Sequence, residues 1–228
     1  MRKLIRLLPA LLIFLCWSSN EVRADLVVDP TSDTYGTESV QLDITSINAT
    51  FSGSNITFFV SFAGGIAPPS ALAPNSVVGF IDIDTDQNTA TGDVPFINVF
   101  SPGPPIALGQ DFFVDLGSEF LHPGSVDIFR TLPDTVVGAA PIVFTSTSFS
   151  VTVPLALLGN DDGLLNYGAV IGTFLEPTDR APNGTLPATS QPIPEPATLL
   201  LLGTGLAGVA GRTYRKRRRN ARGSSSGL

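Results

Sequence analysis

Turn-forming residues break up the chain between Asp25 and Gly184 so regularly that only short elements fit between them. Gly, Pro, Asn and Asp separate runs rich in Val, Ile, Phe and Thr, the composition of strands on a pleated, half-buried surface. "SVQLDITSINATF" alternates apolar and polar positions at Val40, Leu42 and Ile44. Gly53 to Asn55 then reads as a turn and "ITFFVSF" as the partner strand. Further strands are expected at "SVVGFIDI", "FINVF", "DFFVDL", "SVDIFR", "TVVGAAPIVF", "SFSVTVP" and "YGAVIGTFL". Helix signals are poor; "PLALLG" (Pro154 to Gly159) suits a single turn. This pattern predicts an all-β fold over residues 25–184, an antiparallel β-sandwich of jelly-roll or Ig-like type.

The two ends differ in kind from this middle. Residues 1–24 carry a basic start and an apolar stretch from Leu7 to Trp17, then Val22-Arg23-Ala24 before Asp25. That is the form of a secretory signal peptide cleaved after Ala24. The one cysteine, Cys16, lies inside it, so the exported chain folds without disulfides. Charge is segregated as well. Of 13 Lys and Arg, only Arg130 and Arg180 fall between Asp25 and Pro194, against 18 of the 20 acids. So acidic a middle repels nucleic acid and attracts cations.

Residues 185–193 are uncharged and rich in Pro, Ser and Thr, the composition of an extended linker. Beyond them, "PEPATLLLLGTGLAGVAGRTYRKRRR" joins a short lead to an uncharged run from Ala197 to Gly211 and then a basic block. A helix from 197 to about 214 spans roughly 27 Å, close to the roughly 30 Å of a hydrocarbon core. The positive-inside rule holds its basic end on the cytoplasmic side. Residues 220–228 form a polar tail.

Pro194-Glu195-Pro196, the apolar segment and the Arg-rich end together resemble the PEP-CTERM sorting signal of Gram-negative bacteria, over residues 194–219. The resemblance implies recognition by exosortase, a membrane-embedded enzyme similar to cysteine transpeptidases. It further implies transient anchoring in the inner membrane, removal of the tail near the tripeptide, and delivery to the cell surface or extracellular matrix.

One stretch of the middle carries chemistry. "FIDIDTDQNTATGD" sets Asp82, Asp84, Asp86 and Asn88 at every second position, with Asp93 eleven residues after Asp82. Oxygen ligands at loop positions 1, 3, 5, 7 and 12 are what Ca²⁺ uses in an EF-hand-type loop. Gln87 replaces the glycine usual at position six, and Asp93 the longer Glu at twelve. The approach through "VVGFID" is a strand where an EF-hand has a helix. A calcium loop in a β-sandwich is therefore expected, with Asp111 a further candidate ligand; the competing reading is a hydrated acidic strand face. The same loop, with "GQDFFVDL" and "VTVPLALLGNDDG" after it, resembles secreted β-sandwich domains of PEP-CTERM proteins, some of which bind carbohydrate.

The remaining acids read as structural: Asp161 and Asp162 as turn residues, and Asp179 as a cap or partner beside Arg180. His122 reads as a loop residue. A nucleophilic triad needs a His or Lys base, and the middle holds one His and no Lys. A carboxylate pair for glycoside hydrolysis remains open to the fold. The exported middle, however, has no Trp and only Tyr35 and Tyr167, a poor supply of sugar platforms. The expectation is a non-catalytic surface or matrix protein, calcium-stabilised and linked to exopolysaccharide and biofilm. A carbohydrate-binding module is the alternative, and a glycoside-active enzyme ranks behind it. The partners expected are exosortase, the inner membrane and extracellular polysaccharide, without nucleic acid.

Overall fold

A computed structural model describes residues 26–190 and 204–206. Residues 26–190 lie in one compact unit; Thr204, Gly205 and Leu206 belong to another and are helical. The signal peptide with Ala24, the sorting motif Pro194-Glu195-Pro196, the basic tail and all but these three residues of the expected membrane helix lie outside the described residues. Among the described residues no helix is long and apolar enough to cross a membrane.

The middle is all-β. Eleven strands run in chain order: β1 (Val27–Val28), β2 (Ile44–Ser52), β3 (Asn55–Phe62), β4 (Val78–Asp84), β5 (Phe112–Asp115), β6 (Ser125–Arg130), β7 (Thr135–Phe144), β8 (Ser148–Pro154), β9 (Asn166–Gly172), β10 (Pro177–Ala181) and β11 (Ala188–Thr189). Every named ladder is antiparallel, in the order β1-β2-β3-β8-β7-β6-β5-β4-β9-β10, with β11 beside β9. The antiparallel all-β character is as expected; in place of a sandwich, one continuous sheet rolls up until it is nearly a barrel. β7 makes the continuity, since Thr135–Pro141 pairs with β6 and Ile142–Phe144 with β8.

Where the roll comes together, between β2 and β10, side chains replace a ladder. The Leu42 N–H donates to Thr178 Oγ1 at 3.0 Å, and that hydroxyl donates back to the Leu42 carbonyl at 2.9 Å. The Ile44 N–H donates to Asp179 Oδ2 at 2.6 Å.

Period-two patterning fills the interior. Ile56, Phe58, Val60 and Phe62 of β3 point in, as do Phe149, Val151 and Val153 of β8. A bulge between Ile44 and Ser46 shifts the inward phase of β2 from Leu42 and Ile44 to Ile47 and Ala49. The Phe58 ring meets Tyr167 of β9 edge-on, centroids 5.3 Å apart.

The sheet is covered on its outer side as well, across β4 and β9. Ile81 and Ile83 face the main core, while Phe80, Asp82 and Asp84 face outward beneath the segment between β4 and β5. Ile97, Ile106 and Leu108 of that segment close over Val170 and Phe80 in a second, smaller core.

Residues 96–100, expected as a strand, form the helix α1 (Phe96–Phe100). Phe96 and Phe100 are four apart and lie on one face of a helical turn, so both rings reach Phe80, at 4.2 and 5.9 Å. The Asp82 carboxylate accepts the Ile97 N–H at 2.8 Å, holding the start of α1. "PLALLG" supplies its single turn at Leu155–Leu158. β11 lies inside the stretch read as linker: Ala188 pairs with Tyr167, and Ser190 is buried with its N–H on the Leu165 carbonyl.

Candidate metal centre

β4 delivers Asp84 to the end of the sheet, where the chain turns through Thr85, Asp86, Gln87 and Asn88. Gln87 takes φ +54°, the left-handed conformation that glycine provides at position six of an EF-hand loop. The turn is therefore made without the glycine.

Its return arm is held by close backbone approach. The Asp93 N–H donates to the Gln110 carbonyl at 2.9 Å, and the Gln110 N–H to the Asp93 carbonyl at 3.0 Å. Gly92 sits at φ +72°, and a Cβ there would stand 2.5 Å from the Gln110 oxygen. A Cβ on Gly109 would stand 2.3 Å from the Thr91 oxygen. These two glycines allow the arms to close and bring Asp111 alongside the turn.

Asp84, Asp86 and Asp111 are thereby gathered, each offering one carboxylate oxygen within 4.8 Å of the others. Ca²⁺ binds oxygen at 2.3–2.6 Å, so opposite ligands of one ion lie roughly 4.6–5.2 Å apart. The cluster fits a single calcium sphere.

Protein donors already orient the three. Asp84 is fully buried and accepts the N–H groups of Asn88 and Gly109, both at 3.2 Å. Asp86 accepts Asn88 N–H and Thr91 Oγ1, each at 2.9 Å. Asp111 accepts Thr85 N–H at 2.9 Å and Thr85 Oγ1 at 2.8 Å. Burial first, then the Asp86 carboxyl and the Asp111 charge, raises Asp84 above the usual carboxylate range. Burial and the neighbouring acids thus disfavour its charged form, which a bound cation would favour.

The remaining expected ligands lie differently. Asp82 is outside this cluster: it is fully buried, one oxygen taken by Ile97 N–H and the other by Gln110 Nε2. Its place is structural, tying α1 and the return arm to β4. Asn88 spends its amide oxygen on Ala90 N–H at 3.1 Å. Asp93 is exposed, its Oδ1 on Val94 N–H at 2.7 Å, and is also outside the cluster.

Asp161 and Asp162 do sit in a turn, accepting Gly163 N–H at 2.7 Å and Leu164 N–H at 2.9 Å. Asp161 is nonetheless raised by burial and then by the charges of Asp162 and Asp111, which places it in the electrostatic surroundings of the cluster. Sequence spacing gives no sign of that proximity. His122 is an exposed loop residue.

A family model, the PEP-CTERM protein-sorting motif, matches residues 192–218. Comparison with curated proteins finds no match. The matched stretch contains the Pro-Glu-Pro tripeptide, the uncharged run and most of the basic block. The chain thus carries, at its C-terminal end, the PEP-CTERM sorting motif of exosortase substrates, which implies export and membrane-anchored sorting in Gram-negative bacteria.

Proposed function

We propose that the chain is a non-catalytic surface or extracellular-matrix protein whose acidic loop binds Ca²⁺ through Asp84, Asp86 and Asp111. The observation that carries the calcium reading is the convergence of those three carboxylates to within 4.8 Å in a chain whose middle has two arginines and no lysine. The cation would offset their repulsion and the desolvation of Asp84, holding the segment between β4 and β5 against the sheet. In the metal-bound form these residues bind and orient; no step of bond making is assigned to them. Export supports the reading, since extracellular calcium modules work at about 10⁻⁴–10⁻³ M.

The test is a melting curve of the purified chain in detergent, with calcium and with chelator. Calcium is expected to raise the melting temperature, and D84N/D86N to diminish the rise while folding normally in chelator. A wild-type curve indifferent to calcium refutes the reading.

A linkage to exopolysaccharide and biofilm belongs to the same proposal. One observation favours direct carbohydrate binding as a second reading. A cavity of about 340 Å³ is lined in part by Phe80, Phe100 and Phe174, with Asp115 and Glu176 beside them. Phenyl faces with adjacent carboxylates suit a sugar ring and its hydroxyls. Loss of glycan-array binding on F100A and F174A would support it, and an array without signal would remove it.

A further inference from the structure

The seam between β2 and β10 gathers four carboxylates, three from the N-terminal stretch of the domain and one from β10. Asp29 follows β1, Asp33 comes after the turn at Thr31 and Ser32, Asp43 precedes β2 and Asp179 belongs to β10. Asp29, Asp33 and Asp179 each offer an oxygen within 4.8 Å of the other two.

The seam also leaves buried polar atoms without hydrogen-bond partners. Asp29 is 4% exposed, yet its Oδ2 has no hydrogen-bond partner. The buried Oδ1 of Asp43 and hydroxyl of Tyr35 are likewise unpartnered. A buried polar atom left unmade costs about 1–3 kcal/mol, more when charged, so three at one seam call for an occupant.

Most of the nearby donors are already engaged elsewhere. Asn183 Nδ2 donates to Asp29 Oδ1 at 2.9 Å and also to Asp33 Oδ2. Asp179 accepts Ile44 N–H at 2.6 Å and Arg180 N–H at 2.8 Å. Asp43 Oδ2 accepts Ser32 N–H at 2.8 Å. The Arg180 guanidinium donates to Ser101 Oγ at 3.2 Å and to the Asn183 carbonyl at 3.0 Å. No lysine lies between Asp25 and Pro194.

We propose that Asp29, Asp33 and Asp179, with Asp43 beside them, form a second divalent-cation site that clamps the N-terminal segment across the β2–β10 seam. Carboxylate oxygens alone, with one exposed ligand in Asp33, suit a hard ion of the calcium class. The electrostatics agree. Burial, followed by the charges of Asp179, Asp33 and Asp43, pushes Asp29 up to about 8. Asp179 rises to about 7, chiefly by burial.

The site closes the roll where the β2–β10 ladder is missing. It also ties down residues that begin within a few positions of the expected cleavage after Ala24. It shares no ligand with the acidic loop, so each site can fail without the other.

Bound calcium per chain is measured by equilibrium dialysis on the full chain in detergent, for wild type, D84N/D86N, D29N/D33N and D33N. The D84N/D86N chain is expected to retain bound calcium and D29N/D33N to lose one equivalent relative to wild type. D33N alone, at an exposed position that leaves the core intact, is expected to weaken that equivalent. Calcium is also expected to slow proteolysis of the segment from Leu26 to Glu38 in wild type and not in D33N. The proposal is overturned if D33N and D29N/D33N hold as much calcium as wild type with the same affinity. It is equally overturned if D84N/D86N holds none.

Discussion

Asp82 separates two accounts of the acidic loop, and its substitution decides between them. Were it the first calcium ligand, as loop spacing suggests, its removal would cost little in chelator and abolish the calcium response. The structure argues the reverse. Its carboxylate is fully buried and accepts Ile97 N–H at 2.8 Å and a Gln110 Nε2 hydrogen. Asp82→Ala leaves both donors unmade, at about 1–3 kcal/mol each, or roughly 2–6 kcal/mol together. Melting shifts by about 2–4 °C per kcal/mol in a domain of this size, so a mid-range loss of about 4 kcal/mol lowers it by about 8–16 °C in chelator. Asp82→Asn is the sharper control. Its amide oxygen can still accept Ile97 N–H, and Gln110 can rotate to present its own oxygen to the new NH₂ group. The expected cost is under about 1 kcal/mol, with the calcium-dependent rise retained. Differential scanning calorimetry in chelator and in calcium reads both. An Asp82→Ala chain that melts with wild type in chelator but no longer responds to calcium would refute the structural role.

Three other outcomes are expected. Burial raises Asp82 from about 3.8 to about 7, so between those values the folded state holds a proton that the unfolded state has released. In chelator its contribution is fully present below about pH 4 and is lost as pH rises through about 7. A pH series of melting temperatures checks this, and Asp82→Asn should flatten the slope. Gly92→Ala forces a Cβ to 2.5 Å from the Gln110 oxygen at a positive φ; a loss of about 1–3 kcal/mol and a weaker calcium-dependent rise are expected from the same calorimetry. Changing Pro194-Glu195-Pro196 to alanines should leave uncleaved precursor in the inner membrane, read by immunoblot of membrane fractions; unaltered processing would count against exosortase recognition.

Much of the strand content was legible because it depends on local alternation. Ile56, Phe58, Val60 and Phe62 declare their inward face through spacing alone, and Gly53 marks the turn before them. The short helix α1 was not legible. Five residues, three of them Phe or Val, read as a strand, and only docking on Phe80 and the Asp82 cap makes them helical. β10, "PTDRA", also escaped notice, because three of its four buried positions are the polar Thr178, Asp179 and Arg180, which give no apolar signal. In the acidic loop, spacing singled out Asp84 and Asp86, and Asp111 was a candidate as the acid opening the next strand; the fold brings these three carboxylates together. Spacing could not show that Asp82 turns its oxygens to protein donors, which depends on where α1 and Gln110 settle.

The chain's address was written in the sequence alone. A tripeptide, an uncharged run and a basic end are contiguous, so no fold is needed to recognise the sorting motif they form. The expected acidity, absent disulfides and strand periodicity are likewise sums or local patterns. Tertiary structure decided which carboxylates share a space. Asp29 and Asp179 stand 150 positions apart in the chain and within 4.8 Å at the seam, because the rolling of one sheet brings β10 against the start of β2. Proximity of that kind comes from the whole strand order, and no single segment encodes it.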